Sequence, residues 1–474
     1  MERYIRRVRV EGMFDSELEM VVDFSPTDNC IFGINGSGKT VLINLIVASI
    51  QCDIEMLSKL PFKSIRIVTA PVGGKKESNF FTVEKTSYGA VYSFHENIEI
   101  DSEVRFGKEF TLKLTVDKDK SYKIYNRQAR SEENSKRRIM LKRLIGLLIP
   151  FTYIPLLRMH DGVGRSDELL QYEMRRQQLS DREISDVLDP NMRVLKKLQE
   201  EFSGRYSMAQ SRIATALESL KTTIFEKLLF EDDGMSEGAE KYASRLIATR
   251  DLNDTKSAKE VISQINDLNL GIPEWKVTKH FEIWDGMKEL LLLTLDDYNR
   301  KDKDTGEFSE EKFKKYSRAY YNLIASVRQF KTFDDVIALI DDVQSRKGEW
   351  LSNFNNFKRE VNYFLPKSKT FEFSGSGQFI LKNNGSKLDL IDLSSGEKHI
   401  LAILGRVCLS SFSGSSVFIA DEPELSLHLE WQRQILPSIR RLSPNTQVIV
   451  ATHAPAIISD DALKINLRKC YKDG

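Results

Sequence analysis

No stretch of this 474-residue sequence approaches the roughly 20 consecutive apolar residues that a helix needs to cross a bilayer, so a membrane-spanning helix is not expected. The first fourteen residues alternate in the manner of a strand and lack the continuous apolar core of a secretory signal. Cysteine is scarce: Cys30, Cys52, Cys408 and Cys470 stand far apart, with no CxxC pair among them. Reduced, structural thiols in a cytoplasmic protein are therefore the expectation. An excess of either charge is also missing. The 70 basic and 69 acidic residues cancel, so overall charge gives no reason to expect nucleic-acid binding, and any basic surface must come from local clustering. Sequence repeats and low-complexity segments are absent too.

What is present fits a folded chain. Apolar residues make up 41% and charged residues 29%, ordinary values that exclude a wholly disordered protein. The length allows two or three domains of roughly 100–200 residues each. Three regions differ in texture. In the first, 1–162, short alternating apolar runs at 4–10, 20–24, 110–116 and 122–125 read as strands. An apolar run at 29–32 ends in a glycine-rich turn, and 41–50 has the unbroken apolar look of a buried helix. In the second region, 163–368, charge becomes dense, glycine and proline become sparse, and helical spacing takes over. Ile213, Leu217, Leu220, Ile224 and Leu228 fall on one helical face. Amphipathic runs follow at 258–268, 287–295, 312–327 and 333–343, interrupted at Gly234, Gly271 and Gly306, as in a packed helical domain. The third region, 369–474, returns to strands at 371–373, 379–381, 417–420 and 447–451. An α/β unit is thus split by a helical insertion, and its two parts must meet in space.

Gly33-Ile34-Asn35-Gly36-Ser37-Gly38-Lys39-Thr40 matches G-x-x-x-x-G-K-[ST] at every fixed position. Its glycines let the backbone wrap an anion with N–H groups pointing inward, and the helix starting near Lys39 adds the positive end of its dipole. Lys39 is expected at the β- and γ-phosphates of ATP and the Thr40 hydroxyl on Mg²⁺. The run 417–420 ends in Asp421 and Glu422. A carboxylate at a strand tip holds Mg²⁺, the role expected of Asp421, and Glu422 is placed to polarise the attacking water. Alone, such a pair also caps a strand and starts a turn.

Two further segments separate these readings. Leu393-Ser394-Ser395-Gly396-Glu397-Lys398-His399 resembles the ABC signature motif, with Ser394 and Gly396 in its serine and second-glycine positions. Ser395 and Glu397 replace the usual glycine and glutamine, as in the SMC and Rad50-like branch. Physically, a serine and the amides of a helix N-terminus face a γ-phosphate. Ser394 with Glu397 is equally a capping box, and both readings can hold at once. His453, after the run 447–451, occupies the position of the histidine that contacts the γ-phosphate in ABC ATPases. The segment 425–428 stands where the D-loop lines the dimer seam. The order of phosphate loop, signature, Asp-Glu, D-loop and histidine resembles that of ABC-type ATPases and covers about half the chain. A glutamine expected after the strand near 151–154 is not found at once; Gln171 is the nearest candidate.

The resemblance implies an α/β fold: an ABC ATPase head with a mixed sheet around the P-loop core, an antiparallel β subdomain and a helical insertion domain. It implies ATP and Mg²⁺ as ligands. Catalysis falls to Glu422, Lys39 and His453, and metal binding to Thr40 and Asp421. Nucleotide contacts are expected from Gly33, Asn35, Gly36, Ser37, Gly38, Lys39 and Thr40, and from Ser394, Ser395, Gly396 and Glu397 of a second copy. The insertion is too long for a transporter subunit and too short for SMC or Rad50 coiled coils. With the segments 419–432 and 393–399, it is similar to the overcoming-lysogenisation-defect family and its anti-phage relatives. The 21 residues after His453 are too few for a Toprim domain. The resemblance therefore points to stand-alone defence ATPases of the PARIS (AriA-like) kind, then of the Septu kind. Such ATPases form homo-oligomers, head-to-tail dimers and assemblies such as a hexamer. They hold a separately encoded nuclease effector of Toprim type, or alternatively HNH type, and release it to a phage-encoded trigger. The alternative is a RecF- or SMC-like repair ATPase that clamps DNA. Its candidate contacts are the basic run 136–143 and Arg6, Arg7 and Arg9, each equally readable as a solvated, charge-balanced face.

Overall fold

The computed structural model describes residues 3–15, 17–34, 36–73, 79–86, 89–95, 99–100, 104–105, 109–115, 139, 142–143, 145–146, 151–154, 190–230, 235–250, 256–300, 309–412 and 417–472. Asn35, Gln171, the expected strand at 122–125, the glycines at 234 and 306 and the basic residues 136–138 lie outside them. The chain divides into two compact units, 1–205 with 353–474, and 206–352.

In the first unit, strands β1 (Arg3–Glu11), β2 (Glu19–Asp23) and β3 (Asp28–Phe32) lead to helices α1 (Lys39–Gln51) and α2 (Ile54–Lys59). Strands β4 (Ser64–Pro71), β5 (Asn79–Thr86), β6 (Gly89–His95), the short pair β7 (Glu99–Ile100) and β8 (Val104–Arg105), β9 (Glu109–Thr115) and β10 (Phe151–Ile154) follow. The chain then runs through helices α3 (Pro190–Phe230), α4 (Met235–Thr249), α5 (Ala258–Asp267), α6 (Glu274–Asn299) and α7 (Glu310–Phe364). It closes with β11 (Lys369–Phe373), β12 (Phe379–Asn383), β13 (Ser386–Leu388), α8 (Ser395–Ser411), β14 (Val417–Asp421), α9 (Leu429–Leu442), β15 (Gln447–Ala451), β16 (Leu463–Asn466) and β17 (Tyr471–Lys472).

Five strands form a parallel sheet in the order β10-β14-β15-β3-β16. Every residue of β14 and β15 is buried, which is why they read as continuous apolar runs and do not alternate. A second sheet, antiparallel, runs β17-β2-β1-β4-β5-β6-β9. Helix α1 packs between them: its Leu42, Ile43, Leu45, Ile46, Val47, Ala48 and Ile50 share one core with Ile5, Val8 and Ile67 of the antiparallel sheet and with Val417, Ile419 and Ile449 of the parallel one. A helix covered on both sides needs apolar residues on both of those faces, and 41–50 supplies them, with Asn44 only partly buried. The fold is therefore α/β, with a P-loop sheet, an antiparallel β subdomain and a long helical stretch between its two halves. A buried polar cross-link joins the halves. The Gln447 side chain accepts from Ile5 N at 2.9 Å and donates to Ile5 O at 2.8 Å and Ser25 O at 2.7 Å. It sits where the β1–β4 register shifts between Ile5 and Arg7, so it satisfies backbone groups at an irregularity.

Arg7 and Arg9 pair with Asp23 and Glu19 of the neighbouring strand, so these two arginines belong to a charge-balanced face. The cysteines are free thiols. Burial pushes Cys30 up to about 12 and Cys408 upward as well, leaving both as unreactive core residues. Among the described residues, no helix is long and apolar enough to cross a membrane.

The change in periodicity sets the sequence boundary at 368/369, whereas the packing boundary falls at 352/353. The difference is aromatic: Phe202, Phe354 and Phe357 pack edge-on or tilted against Phe371, Phe373 and Phe379 at centroid distances of 5.4–6.1 Å. The second unit is helical, with two apolar clusters. One surrounds Trp284, Leu291 and Leu323; the other contains Leu220, Val261, Ile265 and Ile340, with Leu217 and Ile224 packed against it. The amphipathic runs at 312–327 and 333–343 belong to the single helix α7.

Replacing Gln447 by Ala removes the side-chain partner of Ile5 N and O in the core and leaves Ser25 O with Asn29 Nδ2 alone of its two donors. The expected cost is about 2–4 kcal/mol, measurable as a lower midpoint of chemical denaturation. A loss below about 0.5 kcal/mol would remove Gln447 from the account of how the halves are joined.

Candidate functional site

The loop 33–40 leaves the carboxyl end of β3 and turns straight into α1. Gly38 has φ +90°, and a Cβ there would lie 2.7 Å from the Met13 side chain and 3.0 Å from the Phe14 ring. Both conformation and space therefore demand glycine. Lys39 is only 4% exposed, and its Nζ donates to the carbonyls of Gly33 at 2.9 Å and Ile34 at 3.2 Å. Burial lowers its pKa, while Glu422, Asp421 and Glu424 oppose that shift. The loop thus folds around its own cation, whose two carbonyl partners are neutral and exchangeable.

The neighbouring strands deliver the other groups to the same edge. β14 ends at Asp421, which is buried, and Glu422 follows with φ +47°. A left-handed glutamate is unusual and costs strain; it is held by its N–H donating to Ala451 O at 2.7 Å. His453 stands just past β15, with Nε2 3.8 Å from Glu422 Oε1. A cleft of about 820 Å³ is lined by Phe14, Gly36, Ser37, Gly38, Lys39, Thr40, Val41, Glu422 and His453. The structure therefore brings together most of the phosphate loop, Glu422 and His453. Asp421 lies behind the lining, near enough for its charge to act on Lys39. β10 is the strand expected near 151–154 and pairs with β14.

The segment 394–397 is not part of that lining. Ser394 caps α8: its hydroxyl accepts from Glu397 N at 3.3 Å, and Glu397 Oε2 accepts from Ser394 N at 2.8 Å. Ser394 itself is exposed. Glu397, expected to contact the nucleotide, has another task. It is 5% exposed and takes Lys369 Nζ at 2.8 and 2.9 Å on its two oxygens, an ion pair that holds its pKa low against burial. An anion committed to a cap and a lysine has no reason to face a phosphate. Gly396 is fixed by close approach, since a Cβ there would meet Ser426 O at 2.6 Å. Beside it, His399 Nδ1 lies 2.8 Å from Leu425 O, so the start of α8 is fastened to the turn after Glu422.

Sequence reasoning missed three residues. Phe14, 49% exposed with φ +54°, lies at the mouth of the cleft and carries no motif. Lys369 stands 28 residues from its partner Glu397. Glu424 is a third acid directly beyond Asp421-Glu422, a signal that was available.

His399 supplies a pH test. Burial depresses its pKa below the ordinary value of about 6.5. The unfolded chain therefore takes up the proton first, and the contribution to stability is complete above the unfolded pKa and is lost as pH falls below it. Denaturation midpoints measured from pH 7.5 to 5.5 should fall with a slope of up to about 1.4 kcal/mol per pH unit from this group. His399→Gln should lose that share of the slope. An identical slope in the variant would rule the imidazole out.

Residues 285–459 match the family described as "AAA domain, putative AbiEii toxin, Type IV TA system". The chain is 32% identical over 88 residues to the "Retron Ec83 probable ATPase" of Escherichia coli, covering 16% of each chain. It is 29% identical over 86 residues to the "Retron Vc95 probable ATPase" of Vibrio cholerae, covering 16% of this chain and 17% of the relative. It is 26% identical over 133 residues to the Rad50 double-strand break repair ATPase of Saccharolobus solfataricus, covering 27% of this chain and 15% of that one. The chain thus spans under a fifth of the length of these curated relatives. Among solved structures, the Smc head domain with an extended coiled coil from Pyrococcus furiosus aligns at a TM-score of 0.40 and 14% identity, over 96% of this chain and 91% of that one. The sequence matches are thus to an AAA domain family and to proteins named as ATPases.

Proposed function

We propose that this chain binds ATP with Mg²⁺ and hydrolyses it slowly in a site completed by a second copy of itself. The observation that carries the reading is the convergence of the phosphate loop, Glu422 and His453 on one cleft at the carboxyl edge of a parallel sheet, where α/β sheets bind their ligands. In this reading the loop amides and the N-terminus of α1 cradle the phosphates. Lys39 exchanges two neutral carbonyls for anionic oxygens, a stronger pairing. The Thr40 hydroxyl and the Asp421 carboxylate are hard oxygen donors suited to Mg²⁺, which when bound would neutralise phosphate charge. Glu422 accepts the proton of the attacking water, and His453 contacts the γ-phosphate from the neighbouring strand tip.

The exposed Ser394 turn completes the site in trans. A head-to-tail partner brings Ser394, Ser395 and the amides opening α8 to the γ-phosphate, so that two nucleotides bridge two copies and ATP acts as the adhesive. Larger assemblies, a hexamer among them, are built from such pairs. The wider role is that of a sensor and scaffold in anti-phage defence of the PARIS (AriA-like) or Septu kind, holding a separate Toprim-type or HNH nuclease until a phage product releases it. The likeness to two retron ATPases favours this role. The Rad50 likeness favours a second reading, a repair ATPase that clamps DNA; the pairing of Arg7 and Arg9 with acids weighs against it.

Glu422→Gln should still bind ATP but hydrolyse it at least about 10²-fold more slowly and accumulate as the closed assembly. Lys39→Ala, measured alongside, should not bind ATP. Normal turnover by the glutamine variant would overturn the role of Glu422. Ser394→Arg should leave the ATP affinity of a protomer within about threefold, under about 0.7 kcal/mol, yet abolish ATP-dependent dimers in light scattering. ATP-dependent dimers that survive this change would exclude the Ser394 turn from the seam.

A further inference from the structure

We propose that Glu424 is a positioning residue whose carboxylate fixes the segment carrying His453 and ties it to the turn after Glu422. The inference rests on the ATPase reading above and adds a residue outside the motifs that suggested it.

Glu424 is 9% exposed. Its Oε1 accepts from three donors at once: Thr452 Oγ1 at 2.6 Å, His453 N at 2.8 Å and Ala454 N at 3.1 Å. The position of these donors matters. The β15 ladder ends with Ala451 facing Ile31, and Thr452 N makes one more bond, to Ile31 O at 3.1 Å. The amides of His453 and Ala454 are therefore the first two beyond the sheet. Ala454 N also donates to Thr452 Oγ1 at 2.9 Å, the hydroxyl that itself donates to Glu424, so the carboxylate holds the His453 amide directly and the Ala454 amide both directly and through Thr452. A buried anion is the strongest acceptor available to them, and it arrives on the backbone of the neighbouring strand's exit.

Both backbones next to the Glu422–His453 pair are consequently held. Glu422 N donates to Ala451 O, and Glu424 takes His453 N. The turn is anchored from its other side as well, through His399 on Leu425 O and the close approach of Gly396 to Ser426 O. A shift of the α8 N-terminus is passed by residues 424–426, through the buried Glu424 side chain, to the backbone of His453. In the dimer reading this links occupancy of the seam to the geometry of the γ-phosphate contact.

The test compares Glu424→Ala, Glu424→Gln, Thr452→Val, His453→Ala and the double variant Glu424→Ala/His453→Ala in the full chain. Affinity for a non-hydrolysable ATP analogue and kcat are read separately. Glu424→Ala should bind the analogue within about threefold of wild type while kcat falls about 10²-fold, the scale of a 1 Å misplacement. Glu424→Gln keeps an acceptor oxygen and should recover most of that loss. The double variant should be within about twofold of His453→Ala, because both changes remove the same placement. Turnover near wild type in Glu424→Ala, a glutamine variant as slow as the alanine one, or additive losses in the double variant would overturn the proposal. Should Glu424→Ala fail to fold, Thr452→Val carries the same comparison with a loss of about tenfold and the same non-additivity. Wild-type protein that neither binds nor hydrolyses ATP would sink the ATPase reading. The clamp is then read by hydrogen exchange: the amides of His453 and Ala454 should exchange at least about tenfold faster in Glu424→Ala than in wild type, and unchanged exchange would sink it.

Discussion

Helix α1 is the constraint on which the rest of the head depends. It presents buried apolar residues to both sheets and begins at the loop 33–40, so it can be stable only where two sheets cover it at once. One cover is the antiparallel sheet made largely by the first hundred residues; the other includes β14 and β15, which lie more than 350 residues further on. Neither half can bury α1 alone. The loop 33–40 is tied to the same burial, because its last two residues, Lys39 and Thr40, are the first of the helix.

A core built by two distant segments needs specificity that apolar packing does not give. Buried polar groups at the strand ends supply it. Asn29 bonds to Ser25, Thr27 and Val448, Gln447 to Ile5 and Ser25, and Glu424 to 452–454. Each sits where a ladder begins, shifts or stops, and each satisfies backbone groups that would otherwise be buried without partners. Register is fixed at both ends of β15 in this way: by Gln447 where the strand begins, and by Glu424 just past its end, beside the cleft.

How much of this was readable depends on the kind of information involved. The phosphate loop was legible because wrapping an anion requires glycine and lysine at fixed spacing, whatever the rest of the fold does. Asp421, Glu422 and His453 were legible because each follows a run of buried residues with no polar alternation. The boundary of the helical unit was not, because periodicity reports whether a residue is helical and says nothing about what covers it; Phe354 and Phe357 are helical residues that belong to the head. Glu397 shows a different limit. A capping box and a signature share one pattern, and only the Lys369 partner, placed by the β11 strand, decides what the carboxylate does. Phe14 gave no signal at all, since its place at the cleft comes from a left-handed turn beside Gly38.

The placement of the Ser394 turn gives the assembly its logic. Within one chain the cleft has a phosphate loop, a carboxylate and a histidine, while the exposed N-terminus of α8 lies outside its lining. That helix end is nevertheless attached, through Gly396 and His399, to the turn that carries Glu424. If a second copy supplies its own α8 to this cleft, each chain's α8 touches one nucleotide directly and the other through residues 424–426. Two sites related in this way cannot be occupied independently, since a contact that orders one α8 also orders the His453 segment of the same chain. In that arrangement bound nucleotide would act on the two copies as a pair.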